Sequence, residues 1–120
     1  MNSESFIENS NIVVDFFGQF PKFHDSEILS LNFEISKTSY YPKMTLSLST
    51  IHFGQRCEIL FEFIDIESND MDNFSNQNSI WEMNFSKHEN GIKCVIEPNC
   101  GLSAEIFCKK VKVMSLKNNK

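Results

Sequence analysis

His24 and Asp25 are the residues whose types and spacing first invite chemistry. An imidazole beside a carboxylate can move a proton at neutral pH, and Glu27 adds a third side chain able to bind a metal. Neighbouring residues of an extended chain point to opposite faces, so these three do not readily converge on one ion. A metal-dependent phosphohydrolase would need further His and Asp ligands on a helical framework. His52 and His88 instead fall in strand-like contexts, and no nucleophile accompanies the pair. The structural reading is preferred. Asp25 caps backbone N–H groups in a turn, and the His24 imidazole is held by a hydrogen bond among phenylalanines. Replacing either by alanine is then expected to lower stability before it alters any activity.

The other reactive residue types point the same way. Cys57, Cys94, Cys100 and Cys108 contain no C-x-x-C pair, and their spacings match no common zinc pattern. Three fall at apolar strand positions and read as buried thiols; Cys100, in a turn, is the accessible one. Asp70 and Asp72 lack the glycine and terminal glutamate of a calcium loop. Glycine-rich phosphate loops and paired-carboxylate motifs are absent. No cofactor is called for. What remains is surface. Glu34, on the polar face of the first strand, and the acidic run Asp65, Glu67, Asp70 and Asp72 are the candidate partner-binding residues.

The elements that position these residues follow from periodicity. Ile12, Val13, Phe16, Phe17 and Phe20 form the stripe of an amphipathic helix of about three turns. Gly18 sits near its C-terminus, and Pro21 ends it. The stretch Phe16–Ile28 is then a junction too rich in aromatic rings to be an ordinary loop, and its rings should be largely buried. Beyond it the period becomes two. Leu29, Leu31, Phe33 and Ile35 alternate with Ser30, Asn32 and Glu34, as on a half-buried strand.

Further strands are read at 44–49, 57–66, 80–88, 92–96 and 102–116. A bend near Cys108-Lys109 is expected where the apolar parity changes. Residues 67–78 read as a long surface loop, Glu89-Asn90-Gly91 as a hairpin turn, and Trp81 as sharing a face with Met83 and Phe85. Lys109, Lys110, Lys112 and Lys117 mark an exposed edge or tail. The fold class expected is α+β, with one N-terminal helix packed on a mostly antiparallel, meander-like sheet of about six strands.

Length and charge bound the rest. The 120 residues make a single domain, 1–120, with 1–9 and 117–120 expected to be frayed. The 12 phenylalanines suit an aromatic-filled β core. A net charge of −5 and a pI of about 5.1 argue against a nucleic-acid binder. They suit a cytoplasmic chain with a basic partner. The N-terminus lacks a signal-peptide pattern, and no stretch could span a bilayer.

Gly18, Pro21, Phe23, His24, Asp25, Glu27 and Ile28 resemble the signature of the immunity protein 50 family. That signature reads G-x-W-P-x-F-H-D-x-E followed by Val or Ile. Phe20 stands where tryptophan is usual and keeps the aromatic character. Gly101, Ile106 and Cys108 are similar to a C-terminal run of the same family. The resemblance implies a bacterial, non-enzymatic protein of a polymorphic toxin system that binds and neutralises a cognate toxin domain; monomer and homodimer, the latter through an exposed strand edge, both stay open. It carries no catalytic residues. The alternatives are a small metal-dependent or acid–base hydrolase using His24 and Asp25, and a module with a ligand pocket under the helix.

Overall fold

The alternating apolar pattern wraps on itself. In a computed structural model describing residues 4–119, one short helix precedes six antiparallel strands. The helix is α1 (Ser10–Phe17), and the strands are β1 (Glu27–Ile35), β2 (Pro42–His52), β3 (Gln55–Asp72), β4 (Ser79–His88), β5 (Gly91–Cys100) and β6 (Ser103–Asn119). Their order is β1-β2-β3-β6-β5-β4, closed into a barrel. Each half of the chain is a meander. The halves join through the β3–β6 ladder, so the sheet is not one continuous meander as expected. Closure removes most exposed strand edge.

The core lies inside. Met44, Leu46 and Leu48 of β2, Ile59, Phe61 and Phe63 of β3, Cys94 and Ile96 of β5, and Ile106, Val111 and Val113 of β6 are all buried. A coordinated bend divides the long β3–β6 ribbon, as the parity change near Cys108 implies. Burial switches parity between Phe63 and Ile66 on β3 and between Cys108 and Val111 on β6, with Asp65 at φ 55°. Phe53 (φ 50°) and Gly54 (φ 76°) make the β2–β3 turn. The β4–β5 turn falls on Glu89-Asn90, one residue earlier than expected. Gly91 serves close packing instead, because a Cβ there would run into the Cys108 carbonyl oxygen.

Several expectations are corrected. The helix has about two turns rather than three. It ends at Gly18, whose N–H donates to the Val14 carbonyl at 2.7 Å. Residues 4–9 are anchored rather than frayed: Ile7 is buried, and Glu8 pairs with β6 through Glu8 N–H to Val111 O and Val113 N–H to Glu8 O, both 2.9 Å. Lys117 and Asn118 pair with Glu58 and Cys57 in the ladder. Residues 1–3 and 120, also expected to be frayed, lie outside the described residues. Among the β6 lysines, Lys112 marks no sheet edge, since it runs between β3 and the Glu8 segment. The first strand is not half-buried along its apolar face. Phe33 and Ile35 are exposed because β1 meets β4 only at Glu27↔Ser79, and Leu29 is exposed as the extra residue of a bulge between Ile28 and Ser30.

Candidate partner-binding face

The junction between α1 and β1 closes the barrel. Phe23 is fully buried, with its ring edge-on to Phe17, Phe20 and Phe61, while Phe16, Phe17 and Phe20 are half-buried. The chain on either side of Phe23 hydrogen-bonds to β4. Met83 N–H donates to Lys22 O at 2.8 Å, Asp25 N–H to Ile80 O at 2.7 Å, and Ile80 N–H to Ser26 O at 2.8 Å. Pro21 and the positive φ angles of Phe23 (61°) and Asp25 (63°) shape that path.

His24 and Asp25 part company on this seam. The His24 ring is exposed and lies against Trp81, centroids 5.0 Å apart. It is not held among the phenylalanines as expected. Asp25 accepts a hydrogen bond from Asn99 Nδ2 at 3.0 Å, and the same amide nitrogen reaches Ser79 Oγ and Ile80 O. Glu27 Oε1 accepts from Gln77 Nε2 at 3.0 Å. The three side chains thus engage three different partners. No group of three His, Cys, Asp or Glu among the described residues is placed to hold a metal ion. Asp25 is not seen capping turn N–H groups as expected; its carboxylate instead ties the junction to β5 through Asn99, which also reaches β4.

Two bulges in succession create the most distinctive surface. Between Ser79↔Cys100 and Ile80↔Pro98 the extra residue is Asn99; between Ile80↔Pro98 and Glu82↔Glu97 it is Trp81. Bulges re-aim side chains. Here one turns Asn99 to the seam and the other turns Trp81 out of the core row it was expected to share with Met83 and Phe85. Trp81 is 52 % exposed. It lines a surface groove of about 490 Å³ with Asp70, Asp72, Val95, Glu97, Pro98 and Glu105. Asp70 stands directly opposite Glu105, and Glu82 opposite Glu97. Like charges paired across a ladder are unfavourable. Lys93, 3.7 Å from Glu105, offsets one of these carboxylates.

Of the five acidic residues expected to meet a partner, only Asp70 and Asp72 are together. They do not sit on a 67–78 loop. Residues 67–72 belong to β3, leaving a short connection at 73–78. Glu34 is engaged by Lys43 at 3.0 Å. Half-buried Asp65 accepts from Ser39 Oγ at 2.7 Å at the β3 bend. Glu67, the extra residue of a β3 bulge, lines a separate groove with His88 and Lys109. Sequence reading missed Trp81, Glu82, Glu97 and Glu105. The available signal was Pro98, which cannot donate to a ladder and so favours a bulge.

The thiols divide as expected by burial: Cys57, Cys94 and Cys108 are buried and Cys100 is exposed. Burial pushes the Cys57 and Cys94 thiols up and carries Cys108 to about 12. These three thiols are therefore poor nucleophiles. The unfolded chain releases their protons at lower pH than the fold does, so stability should fall as pH rises through the ordinary thiol range towards that of Cys108. For Cys108 the loss should reach about 1 kcal/mol per pH unit between those two ranges. Thermal melts from about pH 8 to about 11 check this. Cys108→Ala should melt lower throughout but decline less steeply.

The model of the family described as immunity protein 50 matches residues 9–118. No curated protein and no solved structure matches the chain. No helix among the described residues is long and apolar enough to cross a membrane.

Proposed function

Because the chain belongs to the immunity protein 50 family, we propose that it binds a cognate toxin domain and neutralises it by occlusion, without chemistry of its own. The observation that carries this reading is the exposed Trp81 in a groove ringed by Asp70, Asp72, Glu97 and Glu105. An aromatic face can take an arginine or lysine of the toxin, and carboxylates around it hold the same charge. The groove therefore fits a basic toxin surface. Its uncompensated carboxylates would speed encounter, and that steering weakens with salt. The cytoplasm is where such an inhibitor would meet a toxin that attacks the producing cell.

The hydrolase alternative needs His24 and Asp25 to act on one substrate, and their side chains face different partners. Co-expression with the product of the neighbouring reading frame tests the proposal. Cells should survive, and the two proteins should co-purify. The doubly reversed Asp70→Lys, Glu105→Lys chain should associate at least about tenfold more slowly at low salt. Absence of both binding and protection would overturn the reading.

A further inference from the structure

The barrel is closed at Glu27↔Ser79, and β1 then parts from β4. The β4 side of this gap is covered where Lys22 O accepts the Met83 N–H. Along β1, residues Leu29 to Ile35 pair only with β2 among the described residues. This open edge carries no lysine and no proline, the usual guards of an unpaired strand. It also exposes apolar side chains: Leu29 is 51 %, Phe33 44 % and Ile35 59 % exposed. Its one charge, Glu34, is already met by Lys43 at 3.0 Å. Unpaired backbone groups of an extended strand are best satisfied by another strand.

The identity of that strand follows from the alternation on β1 itself. In an antiparallel pair made by a two-fold axis, one residue lies opposite itself, and directly opposed residues share a face. An axis on Asn32 gives the longest overlap of residues 29–35. It sets Leu31 against the second copy's Phe33, twice over by symmetry, while Leu29, the extra residue of the β1 bulge, falls outside this alternation. On the other face it sets Ser30 against Glu34 of the copy, so no two carboxylates oppose each other. We propose that β1 pairs edge to edge with β1 of a second copy about this axis, making a homodimer. The apolar rows of the two strands cover each other. The Trp81 groove, built on β3, β6, β5 and β4, stays open to a toxin.

Sedimentation of the full chain, alone, tests the proposal together with Asn32→Lys and Asn32→Asp. Asn32 is exposed, so both variants should melt as the parent does. The parent should be a dimer in the micromolar range. Each variant alone places like charges across the axis and should dimerise about fivefold more weakly. An equimolar mixture of the two should recover dimer, because lysine then faces aspartate. A parent that sediments as a monomer at all concentrations overturns the proposal, as it should if this edge instead receives a strand of a toxin. A dimer indifferent to charge at residue 32, or a mixture no more dimeric than its parts, also overturns it.

Discussion

Trp81→Ala is expected to weaken toxin binding by about thirtyfold or more while leaving the folded chain almost unchanged, because truncating a central aromatic anchor costs about 2 kcal/mol or more. The side chain is 52 % exposed in the free protein, so little monomer packing is lost. Its removal from water would come only when a partner seats on it. Trp81→Phe keeps a ring in the groove and should retain most of the affinity. Titration calorimetry against the toxin, paired with melting curves, separates the outcomes. If Trp81→Ala binds as the parent does, the groove is not the docking face. If it loses several kcal/mol of stability, Trp81 is a packing residue and the bulge has been misjudged. His24 adds an internal check and reverses the expectation from sequence, since its exposed ring beside Trp81 makes binding, not stability, the first property its loss should touch. Its ring supports Trp81 from the side at 5.0 Å, so His24→Ala should weaken binding through Trp81 and have little further effect once Trp81 is alanine.

The same bulge shows where sequence reading stops. Period-two alternation placed the strands, because on most of them one face is buried and each residue type reports its side. Met44, Leu46, Leu48, Phe61 and Phe63 all lie inside as their spacing requires. A bulge breaks that rule without changing composition. Trp81, Met83 and Phe85 have the spacing of a core row, yet the extra residue in β4 puts Trp81 outside. The register that sets Glu82 against Glu97 and Asp70 against Glu105 is likewise non-local, so no window of the chain contains it. Residues 67–72 read as part of a 67–78 loop because polarity resembles irregular structure. Those residues are polar because they form a solvated strand against β6. β1 errs in the opposite sense: its alternation marks a face that this chain alone does not cover.

Phe23→Ala is expected to be the most destabilising single change in the motif, by about 3–5 kcal/mol. For a domain of this size that is a fall of roughly 12–20 °C in melting temperature. Phe23 is 2 % exposed and meets Phe17, Phe20 and Phe61 at centroid distances of 6.2, 5.7 and 5.8 Å. A cavity there would loosen both the barrel core and the strap that runs along β4. The neighbouring residues should behave differently. His24→Ala removes one exposed ring contact and should cost under about 1 kcal/mol. Asp25→Ala loses the acceptor for Asn99 and places alanine at φ 63°, for about 1–2 kcal/mol. Calorimetric melts of the three variants should therefore rank Phe23, then Asp25, then His24. The reverse order would mean that the imidazole, not the phenyl ring, holds the seam. In the predicted order, the motif divides its tasks along the chain. Phe23 anchors it from inside, Asp25 ties it to the bulge at Asn99, and His24 alone is left to the surface, beside the tryptophan that the adjoining bulge turns outward.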